Sequence, residues 1–95
     1  MATYIILSQV SPEAFIDPKD FKGLAVSVAS KIKARCPGVV WKESYATTGR
    51  FDVVDIVESD DLMQVKKAAM IIRGYGHSRT EILQATPWEE FIKSI

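Results

Sequence analysis

Asp55 is the residue most at odds with its neighbours in this 95-residue chain. It stands two positions from Val53 and two from Val57, so in a strand all three side chains share one face. A carboxylate in that setting is either paired or carries a pKa raised by desolvation, and either state can serve a site that moves a proton. An interface ion pair or a water-exposed place on an edge strand accounts for the same residue without chemistry. His77, the only histidine, belongs to the residue type best suited to proton transfer near neutrality. Its neighbours Gly76 and Ser78 put it in a connection that faces solvent. Asp55 and His77 are the two candidate catalytic residues. No spacing fixes a relay among Ser, His and Asp, so a hydrolase triad does not follow.

A second group, Tyr45, Arg50, Phe51, Asp52 and Arg79, has the mixture of aromatic and charged side chains that orients a small, mostly apolar ligand. Asp52 follows the Gly49 turn, where its carboxylate can accept backbone N–H groups or pair with Arg50 or Arg79; turn stabilisation is the ordinary use. Trp41, Tyr45 and Phe51 can line a pocket between sheet and helices, although core packing is their commoner role. Cys36 falls at a helix C-terminus, whose negative dipole end opposes the thiolate. Cys36 and His77 alone are too few for a structural zinc site, and no metal or cofactor is implied. Gly74-Tyr75-Gly76 follows a helix instead of preceding one, so it is not a phosphate loop.

The bulk properties narrow the partners. Twelve Lys plus Arg balance twelve Asp plus Glu, giving no net charge and a pI near 6.6. That removes the basic footprint of a general nucleic-acid binder. Apolar residues at 47% and charged ones at 25% fit a folded soluble domain, and 95 residues make one domain spanning 1–95. A single cysteine and no recognisable export signal or membrane span point to the cytoplasm.

The elements that must hold these residues follow from periodicity. Residues 3–9 are β-branched and aromatic-rich and end at Ser11-Pro12, a first strand. Asp17-Pro18 is a cap followed by a proline suited to the first helical position; Phe21, Leu24, Ala25, Val28 and Ile32 then form a helical stripe ending before Pro37. Residues 39–46 and 51–58 read as strands joined by a short connection through Gly49, an antiparallel hairpin. Ser59-Asp60-Asp61 opens a second helix with Leu62, Val65, Ala68, Ala69 and Ile72 inward, closed by Gly74 and Gly76. Residues 80–86 form a fourth strand, and Thr86-Pro87 opens a short terminal helix. The result is an α+β, ferredoxin-like βαββαβ sandwich with an antiparallel sheet in the order 4-1-3-2.

Two helices cover one face of four strands, yet the strands are apolar on both. Tyr4, Ile5, Ile6 and Leu7 alternate between the faces, as do Val53 and Val57 against Val54 and Ile56. A second copy packed sheet to sheet about a two-fold axis hides the free face. A terminal helix folded across it is the alternative.

The run Gly49-Arg50-Phe51-Asp52-Val53-Val54-Asp55-Ile56-Val57-Glu58, with Tyr4-Ile5-Ile6-Leu7, Ser44-Tyr45-Ala46-Thr47 and Arg79-Thr80-Glu81, resembles the GYD-domain family of small bacterial proteins, part of the dimeric α/β-barrel superfamily. The resemblance implies a ferredoxin-like protomer and a sheet-to-sheet homodimer. Phe51 stands where the family pattern Gly-x-Tyr-Asp has tyrosine, so a role needing the phenolic hydroxyl does not carry over. The expected function is a homo-oligomeric small-molecule-binding or assembly module. The alternative, by likeness to enzymes of that superfamily, is a cofactor-free oxygenase or isomerase acting on a small enolisable or aromatic substrate.

Overall fold

The computed structural model describes residues 1–14 and 17–95. Its elements run β1 (Ala2–Val10), α1 (Pro18–Arg35), β2 (Val40–Ala46), β3 (Val53–Ser59), α2 (Leu62–Gly74), β4 (Ser78–Ala85) and α3 (Trp88–Ser94). The strands form one antiparallel sheet in the order β2-β3-β1-β4, as the sequence pattern implies. Asp17 caps α1 by accepting from the Lys19 N–H at 2.9 Å, and Asp61 caps α2 in the same way through Met63. At α3 the cap position is Pro87 itself, and no side chain closes the first turn, so Thr86 lies outside the helix it was expected to cap.

Register decides which residues meet. Ile6 lies opposite Asp55 and Ile82, and Tyr4 opposite Val57. These side chains, with Ser8, point to the helix-covered face and are buried or nearly so. Helix α2 lies on β4, β1 and β3 with Val65, Ala68, Ala69, Ile71 and Ile72 buried. Helix α1 behaves differently. Among the described residues its backbone approaches α2 but none of the strands. Tyr75, just beyond α2, helps hold it there: Lys31 and Arg35 sit over its ring at 4.7 and 5.5 Å, and the Arg35 guanidinium donates to its hydroxyl. That guanidinium draws the Tyr75 pKa down.

The hairpin differs from the sequence pattern in an instructive way. Phe51 and Asp52 precede β3 instead of belonging to it. The Asp52 N–H donates to the Ser8 carbonyl at 2.8 Å, while its carboxylate accepts the Val10 N–H at 2.8 Å. A side chain thus takes the place of a ladder partner at the end of β1. Opposite β3, β2 carries a bulge between Trp41 and Glu43.

The second face carries Ile5, Leu7, Val54, Ile56 and Leu83, aligned by register across β1, β3 and β4. Helix α3 does not cover it: among the described residues α3 packs against no other element. Trp88, Phe91, Ile92 and Ile95 at this end are all exposed. The chain measures 49 × 30 × 17 Å, and its short axis matches one sheet with one layer of helix.

Candidate functional site

Because α1 stands off the sheet, a cavity of about 750 Å³ opens between it and the β2–β3 half. Leu24, Val28 and Ile32 of α1 form one wall, and Val39, Trp41 and Val53 face them from the sheet side. Asp55 and Ser8 add polar groups to this apolar lining, while Lys33 is exposed among the lining residues of α1.

Asp55 is 5% exposed and belongs to β3, a central strand. It occupies neither an edge nor the open face, so the edge and interface explanations do not hold. No cation lies within 4.0 Å of it among the described residues. Instead its Oδ1 accepts two hydrogen bonds, from Ser44 Oγ at 2.6 Å and Trp41 Nε1 at 3.2 Å. Burial pushes its pKa up, and those two donors oppose the shift without cancelling it. Both bonds fall on one carboxylate oxygen, which leaves Oδ2 with no donor among the described residues.

The donors owe their positions to the bulge. In a regular strand residues three apart point to opposite faces. The extra residue at Lys42 brings Trp41 and Ser44 to the same face, and the indole N–H also reaches Ser44 Oγ at 2.9 Å. A third polar group completes the set. Ser8 is 2% exposed, lines the cavity, and its hydroxyl has no hydrogen-bond partner among the described residues.

The other candidates are dispersed. Tyr45 borders the cavity, but it lies opposite Val54 in register and its hydroxyl donates to the Glu43 carboxylate, which raises its pKa. Arg50 pairs with Glu81 at 3.1 Å and lies 5.2 Å from the Phe51 ring centroid. Neither Arg50 nor Phe51 lines the cavity. Asp52 is committed to Val10, although it borders a smaller adjoining pocket of about 240 Å³. Arg79 is exposed opposite Gln9, two positions along β4 from Glu81 and four from Leu83, all on the open face. His77 is exposed and adopts a left-handed backbone, φ 49°, with its carbonyl accepting the Ser11 N–H. The cavity therefore gathers Asp55 and Tyr45 from the expected set and Trp41 from the aromatic residues that can line a pocket, and it adds Ser8 and Ser44. Cys36 lines it too; burial pushes its thiol pKa up, and the nearby Lys67 and Arg35 only partly offset this.

A family model described as the GYD domain matches residues 4–95. This chain belongs to the GYD domain family. In the Gly49-Arg50-Phe51-Asp52 turn of this chain, Gly49 takes φ 99° and Asp52 ties the hairpin to β1. No curated protein matches the GYD chain. Solved structures that resemble it include a hypothetical protein of Pyrococcus horikoshii, 26% identical with a TM-score of 0.54 and 92% of each chain covered. The Mycobacterium tuberculosis leucine response regulatory protein is 12% identical with a TM-score of 0.61, over 90% of this chain and 51% of that one. The GYD chain thus spans about half the length of that regulator. A candidate antibiotic biosynthesis monooxygenase from Caulobacter crescentus is 18% identical with a TM-score of 0.52, over 90% of this chain and 91% of that one. The last two likenesses establish the ferredoxin-like fold alone. Among the described residues no helix is long and apolar enough to cross a membrane, and no three His, Cys, Asp or Glu side chains gather to hold a metal.

Proposed function

We propose that this GYD domain is a homodimeric small-molecule-binding module of the cytoplasm, with its ligand in the cavity between α1 and the sheet. One observation carries the reading: a buried carboxylate with no cation beside it faces an apolar space large enough for a ligand. Folding alone does not favour such a group, since an apolar residue at position 55 would avoid the desolvation of a charge. Pairing through the open face is supported by Ile5, Leu7, Val54, Ile56 and Leu83, which α3 leaves uncovered. Sedimentation at micromolar concentration tests the pairing: twice 10.6 kDa supports it and 10.6 kDa overturns it. Ligand binding is tested by thermal shift against small apolar compounds, in the wild type and in Val28→Trp, whose indole fills the space. Compounds that stabilise only the wild type support the cavity. Compounds that stabilise both equally place binding elsewhere.

A second reading, proton transfer in a cofactor-free oxygenase or isomerase, draws on the same residue. A carboxylate with a raised pKa beside an apolar cavity is suited to take a proton from an enolisable carbon. It requires turnover that disappears in Asp55→Asn while binding persists.

A further inference from the structure

We infer that the cavity recognises a neutral, mostly apolar molecule through a hydroxyl group, which donates to Asp55 Oδ2 and accepts from the Ser8 hydroxyl. This rests on the proposed small-molecule reading and names the chemistry of its ligand.

The inference follows from matching donors to acceptors. Ser44 and Trp41 both satisfy Oδ1, so one carboxylate oxygen is left to accept. The Ser8 hydroxyl is buried without a partner among the described residues and offers one donor with spare acceptor capacity. Register places Ile6 opposite Asp55 and Ser8 opposite Val53, which makes Ser8 and Asp55 diagonal neighbours on one face of adjacent strands. Such neighbours lie about 7–8 Å apart at the backbone, within reach of one bridging oxygen once both side chains extend toward it. A hydroxyl has the matching complement, one donor and at least one acceptor. An ammonium brings three donors to two free acceptors and leaves one orphaned against aliphatic walls. A carboxylate or phosphate meets a like charge at Asp55. The remainder of the ligand lies among Leu24, Val28, Ile32, Val39 and Val53, all apolar, so its body is hydrocarbon or aromatic.

Four probes sharing one ring system separate the possibilities: 1-naphthol, naphthalene, 1-naphthoate and 1-naphthylmethylamine. Of the two tryptophans, Trp88 is exposed on α3, so a Trp88→Phe background leaves Trp41 as a fluorescent reporter at the site. The expected result is 1-naphthol binding about 10-fold or more tighter than naphthalene, the range of one hydrogen bond to a charged acceptor, with the other two weakest. Ser8→Ala reduces 1-naphthol affinity roughly 3–10-fold, the range of a neutral hydrogen bond, and leaves naphthalene unchanged. Asp55→Asn, with an amide nitrogen at the Oδ2 position, narrows the preference for 1-naphthol and relieves the exclusion of 1-naphthoate. Equal binding of 1-naphthol and naphthalene overturns the inference while leaving the cavity as a ligand site. Tightest binding by 1-naphthoate or 1-naphthylmethylamine also overturns it, in favour of an ionic head group. Failure of all four to bind overturns the small-molecule reading itself.

Discussion

Replacing Asp55 by alanine and by asparagine separates what the carboxylate contributes to folding from what it costs. Alanine removes the acceptor of the Ser44 hydroxyl, whereas the Trp41 N–H keeps Ser44 Oγ at 2.9 Å. Ser44 is exposed, so its hydroxyl turns to water and the loss is that of one hydrogen bond, about 0.5–1.5 kcal/mol. For a domain of this size each kcal/mol moves Tm by about 4–8 °C, so Asp55→Ala lowers Tm by roughly 2–12 °C, less whatever relief of desolvation offsets. Asparagine keeps a carbonyl oxygen for both donors and removes the buried charge, so at pH 7 its Tm equals or exceeds that of the wild type. The sign with pH follows from the raised pKa. Folded wild-type protein holds its proton more tightly than the unfolded chain, so its stability falls as pH rises from the ordinary aspartate value of 3.8 to the folded-state value, then levels off. Cys36 and Tyr45, which border the same cavity, start from 9.0 and 10.0 and are both raised, so neither titrates in that window. Lys33 is exposed. Calorimetric melting at several pH values reads the difference directly: the advantage of Asp55→Asn is small near pH 4 and grows with pH. An asparagine variant as destabilised as the alanine variant, or an advantage that shrinks as pH rises, refutes the reasoning.

Other perturbations follow from the same geometry. Asp52→Ala removes the acceptor of the Val10 N–H at 2.8 Å, a loss of about 1 kcal/mol, seen as a lower urea midpoint with faster amide exchange at Val10. At Gly76 an added Cβ falls 2.3 Å from the Ile72 carbonyl oxygen, so Gly76→Ala costs about 1–3 kcal/mol. Gly74→Ala, with nothing within 4 Å of the new methyl, stabilises α2 by about 0.5–1 kcal/mol; equal effects at the two glycines in thermal melts contradict this packing. Leu83→Glu sets a charge among Ile5, Leu7 and Ile56 on the open face. Sedimentation then shows a folded monomer at concentrations where the proposed pairing gives a wild-type dimer; a variant that sediments as the wild type does contradicts pairing through this face.

What could be read from the chain beforehand, and what could not, divides along local against register-dependent information. The stripe Leu24, Val28, Ile32 and the alternation in β1 and β3 are local patterns, and they yield the element order and sheet topology. Asp55 is legible because a carboxylate between two valines breaks its own strand's pattern. Ser8 and Ser44 carry no such mark; their importance arises only once pairing sets them beside Asp55. Trp41 joins them through the bulge at Lys42, which the strand pattern does not reveal. The reverse error occurs at the turn, where Arg50 and Asp52 look like ligand groups. The structure commits Arg50 to Glu81 and Asp52 to Val10, because the six-residue connection 47–52 leaves both close to strand ends with groups to satisfy. His77 stands in the solvent-facing connection its glycine and serine neighbours imply.

Ligand binding depends on α1 standing clear of the sheet over a carboxylate that has one oxygen to spare. A crystal structure grown with 1-naphthol tests this most directly. The account predicts ring density between Val28 and Trp41, with the hydroxyl oxygen within hydrogen-bonding distance of Asp55 Oδ2 and Ser8 Oγ. A helix α1 settled onto β2 and β3, with its leucine and valine side chains packed against Trp41 and no space between them, contradicts it.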